Sequence, residues 1–101
     1  MRGKSLLSDE SDPRCYICHT TMNLHVHHCF PGSGRREISD EEGCWCYLCA
    51  FHHNMSNNGV HFNRQLDLWL RRKCQATWER REGINDTEHK AFIARFGVNY
   101  L

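Results

Sequence analysis

Seven cysteines and eight histidines within 101 residues constrain this chain more than any other feature of it. An apolar core has little use for so many soft and basic ligands, so metal binding is the first chemistry to test. The cysteine number is odd, histidines stand beside cysteines, and the opening MRGKSLLSDESD has no apolar h-region before it turns acidic. Together these favour thiolate and imidazole ligation in a reducing compartment over a secreted disulfide framework. A soluble, cytoplasmic protein is expected, since no apolar run approaches the roughly 18 residues that a membrane span needs. The chain is 40% hydrophobic and 25% charged, an ordinary globular composition, and its length suits one core rather than two. A formal net charge of +1 excludes a polybasic surface overall, so any nucleic-acid surface must be local.

Residues 1–13 mix Ser, Asp, Glu and Lys around Leu6 and Leu7 before Pro13, and read as an N-terminal tail. Residues 14–101 then form one domain, with the chemistry in 14–61 and supporting helices in 62–101. Two stretches of strand length, Leu24 to Phe30 and Trp45 to Leu48, flank the polar string PGSGRREISDEEG. They predict a β-hairpin whose connection, Pro31 to Gly43, is a long exposed loop. After Leu48 a helix of about two turns ends at Gly59. Phe62 to Glu82 lacks Gly and Pro and repeats apolar residues at steps of three and four, which predicts an amphipathic helix stopped by Gly83. Asn85 with Glu88 resembles a capping box, opening a second helix that carries Ala91, Phe92 and Phe96 and ends at Gly97.

Cys15 and Cys18 form a Cys-x-x-Cys knuckle, a spacing at which two thiolates chelate one tetrahedral ion. Cys49 and His52 repeat that spacing with an imidazole in the last place, so the four together make a Cys3His zinc site. Cys44 and Cys46 compete through a Cys-x-Cys arrangement but have no partner as well spaced. The remaining reading of Cys29, Cys44, Cys46 and Cys74 is that of small buried hydrophobes. With one zinc satisfied, His27, His28, His53 and His61 are left over, more imidazoles than a core of this size normally carries. His25 shares a strand face with His27 by the period of two and is read as structural or supporting.

This order of elements resembles the HNH, or His-Me finger, endonucleases of the ββα-metal fold. The likeness rests on the knuckle Cys15 and Cys18, the doublet His27-His28, the loop Pro31 to Gly43, and the run Leu48-Cys49-Ala50-Phe51-His52-His53. The remainder, including Gly59-Val60-His61 and the closing Phe96 to Leu101, is similar to small HNH proteins encoded by phages and prophages. The resemblance implies an α+β, zinc-stabilised ββα-metal finger with additional C-terminal helices. It makes His27 and His53 ligands of a catalytic divalent cation (Mg2+, Mn2+, Ni2+ or Zn2+) and His28 the general base, with His61 and Asn57 competing for the third protein contact. His52 stands where the family usually has Cys. The family's middle Asn, which commonly braces the site loop, has no match between Cys44 and Leu48.

DNA is the expected partner, with no membrane or small-molecule substrate. Arg35 and Arg36, in the loop that leaves the site strand, are the expected phosphate contacts, and Arg64, Arg71, Arg72 and Lys73 on the long helix are further cations. No base-reading motif is present, so the activity expected is metal-dependent hydrolysis of DNA with low sequence specificity. The alternatives are a zinc-organised DNA- or protein-binding module without catalysis, and a thiol-redox or metal-handling protein, which would need a Cys-x-x-Cys free of zinc.

Overall fold

The two stretches that flank the polar string pair with each other. In a computed structural model, which describes residues 2–32, 34–56, 58–81 and 86–101, strand β1 (Leu24–His28) runs antiparallel to β2 (Trp45–Cys49). Their register sets Leu24 opposite Cys49 and His28 opposite Trp45. β1 stops two residues earlier than expected, and Phe30 turns into the core, fully buried. These two strands and four helices make a small α+β fold among the described residues.

The connection between the strands is not a loop. Residues Arg35–Glu42 form helix α1, which the sequence reading missed because only Ile38 among them is apolar. One apolar contact suffices here, since Ile38 packs on the core while Ser39 is buried and donates to the Phe30 carbonyl, 3.2 Å away. The helix stops at Gly43, whose φ of 76° is left-handed; its N–H donates to the Asp40 carbonyl and that of Cys44 to the Ser39 carbonyl. This pair of bonds satisfies carbonyls that a helix end leaves free. A side chain at Gly43 would also strike the Lys4 carbonyl oxygen, 2.1 Å from the position of its Cβ.

That contact corrects a second expectation, because the segment read as a tail is docked. Gly3 N–H donates to the Asp40 carbonyl at 2.6 Å, Trp45 Nε1 donates to the Gly3 carbonyl at 2.8 Å, and Leu6 N–H donates to the Gly43 carbonyl. Ser5 is buried: its hydroxyl donates to the Trp45 carbonyl and accepts from the N–H groups of Leu7 and Ser8. Most of these bonds use backbone groups, which leave little trace in a sequence.

Helix α2 (Ala50–His53) is a single turn rather than two. Helix α3 (Arg64–Arg80) is capped by Asn63, whose side chain accepts from Leu66 N–H at 3.1 Å. It buries Leu70, Cys74, Gln75 and Trp78; Phe62, counted on the apolar stripe, lies outside the helix and is exposed. Helix α4 (Asp86–Phe96) ends at Gly97, left-handed at φ 72°. The expected stop at Gly83 and the cap at Asn85 lie outside the described residues. Phe30, Trp78, Phe92 and Phe96 form an aromatic core with Cys29, Cys44 and Cys74, while Cys46, Leu48, Val60 and Leu70 form a second beside the knuckle. Among the described residues no helix is long and apolar enough to cross a membrane.

Buried Gln75 ties down the C-terminal segment. Its amide nitrogen donates to Asn99 Oδ1 at 2.9 Å and its carbonyl accepts from Tyr100 N–H at 2.7 Å. Ser5 performs the corresponding task at the other end. A Ser5→Ala variant is therefore expected to lose about 1 to 3 kcal/mol in urea unfolding, the cost of stranding buried polar partners, whereas a disordered tail would give no change.

Candidate metal centres

The knuckle turn is built by backbone bonds before any side chain is considered. Cys15 N–H donates to the Thr20 carbonyl and His19 N–H to the Cys15 carbonyl, closing the turn through His19, left-handed at φ 65°. Tyr16 N–H then donates to the Tyr47 carbonyl, which fastens the turn to β2. Cys49 ends that strand and His52 lies on the turn of helix that follows. Four ligand atoms, from Cys15, Cys18, Cys49 and His52, lie within 4.8 Å of one another and could hold a metal ion such as zinc.

The spacing suits a tetrahedral ion. Cys18 Sγ and Cys49 Sγ are 3.7 Å apart, and His52 Nδ1 lies 3.8 Å from Cys15 Sγ and 3.3 Å from Cys49 Sγ. Zinc bonds of about 2.3 Å to sulfur and 2.0 to 2.1 Å to nitrogen give tetrahedral edges of roughly 3.4 to 3.8 Å. These separations far exceed the ~2.05 Å of a disulfide. Burial raises the Cys15 thiol pKa, but backbone N–H groups at Cys18, Cys49 and Ile17 outweigh it and hold the thiol below its ordinary value. Cys44 and Cys46, the competing pair, are buried in the two cores and stand outside this set, as do Cys29 and Cys74.

A second cluster lies across α2. His52 and His53 are adjacent on one helical turn and so diverge by about 100°, the first toward the thiolates and the second toward β1. His25 and His27, on one face of that strand, place their rings 5.1 Å and 5.4 Å from the ring of His53. The chain then doubles back: Val60 N–H donates to the His52 carbonyl and His61 N–H to the His53 carbonyl. Gly59 permits this return, since a Cβ there would lie 2.7 Å from the His53 carbonyl oxygen. The nearest nitrogens of His27, His53 and His61 fall within 4.8 Å of one another, a second group that could hold a metal ion.

Two features of this group point to a ligand. His27 is 6% exposed and its Nε2 is buried with no hydrogen-bond partner, an orphan that costs free energy unless something binds it. His53 Nε2 and His61 Nε2 stand 3.1 Å apart, close to the edge of roughly 3.0 to 3.4 Å that two imidazoles make on one ion. Burial, then the neighbouring charges of His53 and His61, push the His27 pKa down to about 3; burial, then His61 and His25, push that of His53 down to about 4. Both are therefore neutral at physiological pH, the form that binds metal. Asn57, the competitor of His61, lies outside the described residues.

The His cluster opens into a cleft of about 350 Å³ against β1, whose Val26, His27 and His28 line it. Both His27 and His28 line it with Arg36, Asp67 and Arg71, so the two consecutive histidines reach one cleft. The two arginines expected together part company. Arg36 faces the cleft and has no ion pair among the described residues, whereas Arg35 donates from Nε to the Phe96 carbonyl at 3.1 Å, bracing the end of α4. Arg71 is held by both oxygens of Asp67, at 3.1 and 2.8 Å, and by Tyr100 Oη at 2.8 Å. Asp40, on α1, meets His28 Nε2 at 2.7 Å. The sequence reading missed Asp40 and Asp67, since neither sits in a motif and each is placed by a separate helix, whereas His25, read as structural or supporting, stands against the His53 ring. No family model, curated protein or solved structure matches the chain.

Two outcomes follow from this geometry. Cys15→Ala and Cys49→Ala proteins are expected to lose zinc and cooperative unfolding, with Cys44→Ala keeping its zinc, as read by metal content and thermal melts. His25 Nδ1 lies 2.9 Å from His53 Nδ1, so it fixes that ring while Nε2 faces the cluster. Removing such a support typically weakens metal binding by about 10- to 100-fold, and a Co2+ titration of His25→Ala is expected to show this against wild type.

Proposed function

We propose that this protein is a metal-dependent endonuclease that hydrolyses DNA phosphodiester bonds in the cleft along β1. The observation that carries the reading is the convergence of three histidine nitrogens, one of them a buried orphan, beside a fourth histidine and two arginines in one cleft. The resemblance to HNH endonucleases supports the same roles, and a ββα-metal finger is the finer reading of β1, β2 and α2. The Cys3His group is the structural zinc site; His27, His53 and His61 hold the catalytic divalent ion.

Phosphodiester hydrolysis needs an activated water, charge stabilisation at phosphorus and help for the leaving oxygen. A divalent ion at the His cluster supplies Lewis-acid stabilisation of that charge. His28, on the wall of the same cleft, takes the proton from the attacking water. Arg36 brings positive charge to the phosphate. Arg71 is already neutralised in part by Asp67, so its fixed guanidinium contributes direction more than attraction. Phosphate contacts of this kind carry no base information, in keeping with low sequence specificity.

The test is relaxation of supercoiled plasmid across series of Mg2+, Mn2+ and Ni2+ concentrations. Wild type is expected to nick or cut in an ion-dependent manner. His28→Ala is expected to lose about 10²- to 10⁴-fold in rate, with zinc content and circular dichroism unchanged and no rescue by added ion. His53→Ala is expected to be rescued in part by raising the ion concentration. Equal relaxation by wild type and His28→Ala, once contaminating nuclease is excluded, would remove the catalytic reading and leave a zinc-organised binding module.

A further inference from the structure

We propose that Asp40 is the positioning residue of His28, its carboxylate accepting a hydrogen bond from Nε2–H and so fixing the tautomer whose Nδ1 lone pair is free to take a proton. The inference rests on the nuclease reading for its consequence in catalysis, but not for its geometry. The Nε2 to Oδ1 separation is 2.7 Å, and Asp40 is the carboxylate that meets His28. A neutral imidazole has one N–H and one bare nitrogen, so a carboxylate on Nε2 selects the form with the proton there. Nδ1 is then the nitrogen with a lone pair, on a ring that lines the cleft.

The carboxylate is itself held still. The Asp40 backbone carbonyl accepts from Gly3 N–H at 2.6 Å and from Gly43 N–H at 3.4 Å, so the N-terminal segment and the left-handed stop of α1 both pin the residue. Arg2 Nε approaches the same Oδ1 at 3.7 Å. This gives α1 and the docked segment a shared purpose that burial does not explain, since the Asp40 side chain is 34% exposed and adds little to the core. In the step itself, water loses a proton to Nδ1 as its oxygen bonds to phosphorus. The bond from phosphorus to the leaving oxygen breaks with its electron pair going to that oxygen, which then takes a proton from solvent, while the imidazolium keeps Nε2–H on Asp40 and later returns its Nδ1 proton to solvent.

The experiment uses full-length, zinc-loaded protein with ¹⁵N-labelled histidine. Long-range ¹H–¹⁵N correlation spectra of the neutral ring are expected to show His28 as the pure Nε2–H tautomer in wild type and as a mixture in Asp40→Ala. In Asp40→Asn, whose amide can instead donate to Nε2, the Nδ1–H form is expected to gain population. The same variants should lose kcat by no more than the base itself contributes, about 10²- to 10⁴-fold, with KM for DNA unchanged and partial recovery in Asp40→Glu. An unaltered tautomer in both Asp40→Ala and Asp40→Asn, or wild-type kcat in a folded Asp40→Ala, overturns the proposal. Should wild type cut no DNA while the tautomer still follows Asp40, the nuclease reading fails and the orientation of His28 by Asp40 stands.

Discussion

The closure of Cys15 and Cys18 onto Cys49 and His52 is the tie on which the remaining structure depends. A two-stranded sheet is marginal by itself in water, and β1 and β2 are each five residues long. The tie joins the turn before β1 to the residues at the end of β2. A structural zinc contributes on the order of 10 to 16 kcal/mol in small peptides, against the ~5 to 15 kcal/mol of net stability typical of a domain. An ion held there is thus large enough to decide whether the hairpin exists. It also fixes α2, because His52 belongs to that helix, and His53 follows directly.

That adjacency makes the two centres mechanically one. A single turn of helix offers one imidazole to the thiolates and the next to β1, so the position of His53 is inherited from the first centre. The strand contributes His25 and His27 on one face, by the period of two, and the return through Gly59 adds His61. Loops position ligands poorly unless they are anchored, and here each histidine of the cluster is fastened by backbone bonds or a strand register. The cleft therefore needs no large domain around it.

The parts legible in the sequence were those encoded by spacing along one stretch of chain. Cys15 with Cys18, Cys49 with His52, the alternation that sets His25 beside His27, and the apolar steps of α3 are all local patterns, and the structure carries each. What was illegible depends on one segment meeting another. Helix α1 has one apolar residue, so its pattern could not outweigh its charges, yet Ile38 packs on the aromatic core and Ser39 bonds to the Phe30 carbonyl. Docking of residues 2–8 runs mainly through backbone groups. Nothing in the local pattern marks Gln75, whose partners Asn99 and Tyr100 come from the far end of the chain. Arg35 and Arg36 are neighbours with the same charge, and only the helix separates a brace from a cleft cation.

A buried, unpartnered histidine nitrogen is the clearest sign that the cleft answers to something other than stability. Burying His27 without a partner for Nε2 sacrifices roughly 1 to 3 kcal/mol that Phe or Leu at the same place would retain. Its neighbours worsen the position, since His53, His61, His28 and Arg71 all disfavour a proton on the ring, after burial itself. Charging the ring is disfavoured, and its Nε2 has no hydrogen-bond partner among the described residues. Three histidine nitrogens kept close together, those of His27 and His53 held neutral, form an arrangement that welcomes a cation with empty coordination positions. Local rules broken without a compensating contact mark functional sites in folded proteins. In this chain the breach sits in a cleft where histidines, arginines and strand β1 meet.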